Sequence, residues 1–307
     1  MKNRQVPIVV GIGELLWDML PEGRRLGGAP ANFAYHAAAQ GAEAYVVSAV
    51  GDDPDGKDIL AELGQKSLDS RYVSVAPEHP TGTVSVELTN GIPSYAIREP
   101  VAWDYIPFSQ KLARLAKSAD AVCFGTLAQR HEESAATIRT FIDHTRPDCL
   151  NVFDANLRGK FFSAELINAS LRRCHILKIS DEELSVVAEL SGIGGDMEGI
   201  IRSVFARYRL RYLILTKGKT GSLAYDGKNI SEVPIFEFGP VADTVGCGDS
   251  FTAVLTVGLL RGITIAEAMN MAAQTAGYVA SCHGAMPEMP CELYSRPFRS
   301  VGMNKHG

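Results

Sequence analysis

Residues 150–179 hold the pattern that decides the fold: Leu150-Asn151-Val152-Phe153, then Ala164 to Arg172, then His175-Ile176-Leu177-Lys178-Ile179. The outer runs are short and mostly apolar, as strands buried on both faces are, and the segment between them reads as a helix. The alternation continues outward in both directions. Ala121 to Phe124 and Tyr212 to Thr216 read as further buried strands, and Glu133 to His144, Asp181 to Leu190 and Glu198 to Tyr208 as helices. Toward the start, Ile8 to Ile12 is a β-branched run ending in Gly13. Pro30 then suits the first turn of a helix that runs to Gln40 and is closed by Gly41. Tyr45 to Val50 is the next strand and Lys57 to Leu63 the next helix. Toward the end, Ser222 to Tyr225 and Ser231 to Pro234 form a hairpin. Two helices follow, one from near Gly248 to Leu260 and one opened by the capping box Thr264-Ile265-Ala266-Glu267. Such alternation predicts an α/β fold of three layers, a mainly parallel sheet with helices on both faces.

Residues 81–99 break the pattern. Thr83 to Leu88 alternates small or polar with apolar residues, Asn90-Gly91 is favoured turn chemistry, and Tyr95 to Arg98 alternates again. This reads as an antiparallel hairpin with one wet face. With a second excursion at 14–27, it predicts a small β lid, formed from about 14–27 and 81–106, on one domain spanning 1–307. A lone hairpin exposes an edge, so the lid is expected to pair with a second subunit, giving a homodimer, or to close on its own body.

Composition narrows the function. A chain of 307 residues with 46% hydrophobic and 21% charged residues can bury a core without staples. Its formal net charge of −5 argues against nucleic acid or an anionic membrane as partner. The six cysteines form no C-x-x-C pair, and Cys123, Cys149 and Cys174 lie in or beside apolar runs, which suits reduced thiols in a cytoplasmic setting. No run approaches the ~18 apolar residues of a membrane span, and Val6 to Gly13 is short for a signal peptide. The seven histidines show no metal-ligand spacing.

The strongest chemical signal is Asp243-Thr244-Val245-Gly246-Cys247-Gly248-Asp249-Ser250-Phe251. Two glycines flank a small residue just before an apolar helix. Glycine lets backbone N–H groups turn toward an anion, and the helix N-terminus adds unpaired donors and a favourable dipole. Asp249 then stands beside the anion, placed to take a proton from an attacking hydroxyl. The plain alternative is a glycine-rich turn with Asp249 as a helix cap. Gly218-Lys219-Thr220 is not a Walker A loop, because Leu213 stands where its first glycine belongs. Gly11-Ile12-Gly13 is no dinucleotide fingerprint, because Leu16 holds the place of the third glycine.

The Asp243–Asp249 string resembles D-T-x-G-A-G-D, the signature of the ribokinase/PfkB family of carbohydrate kinases, with Cys247 in place of alanine. The resemblance runs through nearly the whole chain: Gly13 to Asp18, Gly27 to Asn32, and Gly51-Asp52-Asp53 with Gly56 match in order. It implies a ribokinase-like fold and an ATP- and Mg²⁺-dependent sugar kinase. Asp249 would be the base, and the N–H groups of Gly246, Cys247 and Gly248 the anion hole. Asp18, Gly28 and Asn32 would bind sugar. Arg158, in Asp154-Ala155-Asn156-Leu157-Arg158, would grip phosphate or sugar, or else make a surface ion pair; Asp154 and Asn156 would organise that loop or the metal's water shell. Glu183, in Ser180-Asp181-Glu182-Glu183, would reach magnesium through water. Thr216, Gly218 and Gly221 resemble the nucleotide loop, a plain β-turn being the alternative, and Gly284-Ala285 the loop beneath adenine. Asp243 and the Val245 carbonyl would face a monovalent cation such as K⁺, although Glu288 departs from the pattern there.

Gly91 to Ile97 followed by Ala102-Trp103-Asp104 resembles fructokinases. Trp103 would then pack on a sugar face or within the lid. Fructose is the expected substrate; ribose, 2-keto-3-deoxygluconate and nucleosides stay open. A sensor without turnover and an oxidoreductase are the rivals from other classes. Cys247 is pulled two ways, since a helix N-terminus favours the thiolate and Asp249 opposes it. If the helix wins, an alkylating agent would inactivate the enzyme and MgATP would protect it; a buried thiol would be inert.

Overall fold

The computed structural model describes residues 6–20, 23–89 and 92–294. The Asn90-Gly91 turn therefore lies outside the described residues. In chain order the strands are β1 (Ile8–Ile12), β2 (Leu16–Leu20), β3 (Gly23–Gly27), β4 (Glu43–Gly51), β5 (Val73–Ala76), β6 (Gly82–Thr89), β7 (Ile92–Ile97), β8 (Ala121–Phe124), β9 (Leu150–Asp154), β10 (Ile176–Ser180), β11 (Tyr212–Thr216), β12 (Ser222–Tyr225) and β13 (Ile230–Val233). The helices are α1 (Ala29–Ala39), α2 (Pro54–Gln65), α3 (Gln110–Ser118), α4 (Glu132–Asp143), α5 (Ala164–Leu171), α6 (Asp181–Leu190), α7 (Met197–Tyr208), α8 (Cys247–Leu260), α9 (Ile265–Ala280) and the short α10 (Cys291–Tyr294).

Nine strands form the main sheet, in the order β13-β12-β11-β10-β9-β8-β1-β4-β5. All neighbours from β11 to β5 run parallel; β12 and β13 turn back antiparallel. Each central strand divides its side chains between two cores. Val10, Ile12, Val122, Phe124, Phe153, Leu177 and Leu213 enter one. Val9, Ala121, Val152, Ile176 and Ile214 enter the other, with Phe251, Val254 and Leu255 of α8. This is why the central strands read as unbroken apolar runs rather than as alternating ones. The chain order reverses at β1, which lies between β4 and β8. A crevice opens there beyond the carboxyl ends of the strands, where open α/β sheets bind ligands.

A separate sheet, β3-β2-β6-β7, meets the main body where Arg25 of β3 lies 3.4 Å from Asp243, in the segment before α8. β2 pairs antiparallel with β3 and parallel with β6, which pairs antiparallel with β7. Its second excursion is shorter than expected. Val101, Ala102, Trp103 and Ile106 are buried in the larger core of the main body, so the segment 101–106 belongs to the body and not to the small sheet. Three elements were not anticipated: β5, α3 and the short α10. β5 is a half-exposed edge strand of four residues, too short to show a period. α3 is amphipathic, buries Leu112, Leu115 and Ala116, and is capped by the Ser109 side chain.

Candidate active site

Helix α8 starts at the crevice because Gly246 takes a left-handed conformation, φ 77°. A Cβ there would sit 2.5 Å from that of Ala285, so only glycine lets the two loops meet. No side chain caps α8. The N–H groups of Gly248 and Asp249 fall in its first turn, where a helix offers no acceptor. The Cys247 N–H departs from expectation. It turns to the Thr244 carbonyl at 3.3 Å, closing the loop instead of facing an anion.

Asp249 sits in that first turn. Its Oδ2 accepts a 2.7 Å hydrogen bond from Asn32 Nδ2 on α1. Burial raises its pKa to about 6, Asp154 adding to the effect and Asn32, Lys178 and Arg158 opposing it. A carboxylate so placed can take a proton near neutral pH. The other end of Asn32 is open: Oδ1 is buried without a partner in the described structure. An unpaired buried acceptor is costly, and a ligand hydroxyl would satisfy it.

Asp18 comes from the small sheet. It is half-buried on β2, across from Arg25 on β3. Burial raises its pKa to about 6, and Arg158 pulls it back. Gly27 leaves it room, since a Cβ there would lie 2.3 Å from Asp18 Oδ2. Gly28, φ 113°, begins α1, and its carbonyl accepts from the Ala31 and Asn32 N–H groups. Arg158 is exposed, and its charge lowers the pKa of Asp18, Asp249 and Glu14.

Glu14, which the sequence reading passed over, is buried between β1 and β2. It is 4% exposed, and its Oε2 has no partner in the described structure. Burial and nearby Asp249 raise its pKa to about 7, against backbone hydrogen bonds from Glu14 and Ala29. The carboxylate thus meets the start of α1, which has no side-chain cap of its own. Lys178 and Thr252 were also missed. Lys178 Nζ donates to Asp154 Oδ1 at 3.0 Å, and Thr252 Oγ1 donates to Asp154 Oδ2 at 2.8 Å. Asp154 thereby ties β9, β10 and α8 together.

Several expected ligands have other duties. Trp103 is fully buried, with the Arg130 guanidinium 3.9 Å from its ring centre. Arg130 in turn grips Asp104 through two hydrogen bonds of 2.7 and 2.8 Å. No face of Trp103 is left for a sugar. Glu183 accepts from the Leu157 N–H at 2.7 Å and from the Ser180 N–H at 2.9 Å, so its two oxygens join the loop after β9 to the start of α6. Asp243 accepts from the Val245 N–H at 3.0 Å and the Gly284 N–H at 2.9 Å, and Arg25 lies 3.4 Å away. The charge expected beside a monovalent cation is matched by a guanidinium. Burial, with Asp243 and Asp249, pushes the Cys247 thiol up to about 12, so it stays protonated and weakly reactive at neutral pH.

The nucleotide loop stands where β11 ends. Thr216 closes the strand, and Gly218 and Gly221 both have positive φ, 50° and 96°. A Cβ on Gly221 would lie 2.3 Å from the Val233 carbonyl, so this turn requires glycine. Gly284, φ 83°, presents its N–H to Asp243 from the C-terminal loop. His36 of α1 steadies that loop through the Ala285 carbonyl at 2.9 Å and is kept neutral by burial, its pKa lowered to about 4.

A buried carboxylate at a helix N-terminus can accept a proton from a hydroxyl brought beside it. Comparison with known proteins shows the family. The pfkB family carbohydrate kinase pattern matches residues 22–291. Fructokinase of Klebsiella pneumoniae is 31% identical over 298 residues, covering 91% of this chain and 95% of the relative. Fructokinase of Salmonella typhimurium is 30% identical over 300 residues, with 91% and 95% covered. A solved structure of fructokinase with bound ATP from Xylella fastidiosa shares the fold at a TM-score of 0.80 and 20% identity, covering 92% of this chain and 94% of that one. The chain belongs to the pfkB family of carbohydrate kinases.

Proposed function

We propose that the enzyme transfers the γ-phosphoryl group of ATP to a primary hydroxyl of a small sugar, with fructose as the preferred acceptor and fructose 6-phosphate as the product. The observation that carries this reading is Asp249: a carboxylate with its pKa raised to about 6, fixed by Asn32 in the uncapped first turn of α8. In this reading Asp18 and the free Asn32 oxygen accept hydrogen bonds from sugar hydroxyls, and Gly28 lets the sugar approach the backbone. Asp249 takes the proton of the attacking hydroxyl as the new P–O bond forms. The open N–H groups of α8 receive the charge that gathers on the transferring phosphoryl, as preorganised donors do. The loops holding Thr216, Gly218, Gly221 and Gly284 take the nucleotide.

Magnesium on the nucleotide would neutralise phosphate charge. Among the described residues no group of three or more His, Cys, Asp or Glu could hold a metal ion. A monovalent cation at Asp243 would have to share that carboxylate with Arg25.

The small sheet serves as a lid that closes on its own body, supported by the ion pairs of Arg24 with Asp55 and Asp58 and of Arg25 with Asp243. A dimer by light scattering would favour pairing of two lids instead. A cytoplasmic setting fits the free thiols. Among the described residues no helix is long and apolar enough to cross a membrane.

A coupled ADP-release assay over fructose, ribose, 2-keto-3-deoxygluconate and a nucleoside tests the assignment. Fructose is expected to give the highest kcat/KM. A better rate with another acceptor would replace the substrate, and ATP-dependent turnover of none would remove the reading.

A further inference from the structure

Lys178 interrupts an otherwise apolar strand. Alternation along β10 puts it on the same face as Ile176, which packs in the core with α8. Its side chain is 11% exposed, and its ammonium is bonded to Asp154 at 3.0 Å. Asp154 is itself held by Thr252, one turn beyond Asp249 on α8. The ammonium also lies against the first turn of that helix: a Cβ added to Gly248 would be 2.9 Å from Lys178 Nζ. The cation therefore adjoins the residue before the base, at the helix end that receives negative charge. Burying such a pair costs more than burying an apolar pair of the same shape, so stability alone gives no reason for it.

We propose that Lys178 is a further catalytic residue, contacting the transferring phosphoryl group at the start of α8 while Asp154 and Thr252 hold its ammonium in place. The proposal rests on the kinase reading above. As the bond from phosphorus to the β,γ-bridging oxygen breaks and the bond to the sugar oxygen forms, Lys178 donates a hydrogen bond to a peripheral phosphoryl oxygen. It remains protonated throughout; the sugar's proton goes to Asp249. Burial lowers the lysine's pKa, but Asp154, with Asp249 and Glu183, outweighs it, so the group is an ammonium at neutral pH. The geometry also gives Gly248 a reason beyond backbone freedom, because any side chain there would displace the ammonium.

The test compares Lys178→Met, Lys178→Arg, Asp154→Leu and the double variant Lys178→Met/Asp154→Leu by kcat, by Tm and by the affinity for ADP with and without fluoroaluminate, a mimic of the transferring phosphoryl. Lys178→Met is expected to lose roughly 10²-fold or more in kcat and to lose the extra affinity that fluoroaluminate gives ADP, with binding of ADP alone unchanged. Lys178→Arg should keep more kcat than Lys178→Met. The double variant should regain Tm, because no buried charge is left unpaired, but not kcat. Recovery of kcat in the double variant to within about fivefold of the wild type, or unchanged fluoroaluminate tightening in Lys178→Met, would reduce Lys178 to a structural ion pair. A wild-type enzyme that phosphorylates no sugar would instead defeat the kinase reading itself.

Discussion

Burial lifts Asp249 and Asp18 alike to a pKa of about 6, yet the two are held in unlike ways. Asp249 stands on a helix packed in the main core, bonded to Asn32 and backed by the Lys178–Asp154 pair. Asp18 rides on the small sheet, which packs Trp17 and Leu26 in a core with Ala31, Val50, Ile59 and Leu63 and adds partly exposed ion pairs from Arg24 and Arg25. Partly exposed pairs are weak and screened by salt, whereas buried packing is not. In the proposed reading the sugar side would therefore depend in part on contacts that salt weakens, and the phosphoryl side would not.

That contrast predicts graded losses. Asp249→Asn should cut kcat by ~10²–10⁴-fold and leave the MgATP dissociation constant within a few fold, measured by steady-state kinetics and calorimetric titration. A variant with wild-type kcat would break the comparison at its phosphoryl end. Asp18→Ala should weaken sugar binding by ~5–150-fold, the cost of roughly 1–3 kcal/mol for unpaired hydroxyls, with ATP binding unchanged. Equal losses for both ligands would mean that Asp18 shapes the whole site rather than one half.

Glu14 tests the cost of a buried carboxylate. Its folded pKa, about 7, lies above its ordinary value of 4.5, so folding favours the protonated form. That contribution is full below pH 4.5 and lost as pH rises through 7. Glu14→Gln should therefore raise Tm by about 3–6 °C at pH 8 and by little at pH 5, by thermal denaturation. A gain that does not depend on pH would show that Glu14 titrates alike in the folded and unfolded chain, its pKa not raised by burial. The smallest effect is expected at Arg24. Arg24→Ala should change Tm by under about 2 °C and the sugar KM by under about threefold, with any change fading in high salt. A larger loss would mean that these pairs are more than weak, screened contacts.

The same contrast governs what could be read from sequence. The central strands were legible because both faces are buried, and the α8 motif because glycine, helix start and carboxylate are contiguous. β5 was not, being short and half-exposed. Trp103 was misjudged because its burial depends on Arg130 and on the close approach of Gly82, each more than 20 residues away in the chain. Glu14 gains its meaning only when β2 and β3 bring the start of α1 back to it. Lys178 did leave a mark, a lone charge in an apolar strand, but its neighbours Asp154 and Gly248 come together only through the sheet. Cys247 turned on a balance of helix dipole, burial and two carboxylates that needs coordinates to weigh.

The central claim is that Asp249 is a base poised near pH 6. The pH dependence of kcat/KM for the sugar, measured in the wild type and in Glu14→Gln, tests it most directly. The ionised carboxylate is the active form, so kcat/KM should fall on the acid side with an apparent pKa near 6, and the fall should persist once Glu14 is removed. A kcat/KM that stays level from pH 8 to pH 5, or an acid limb that vanishes with Glu14, would contradict it.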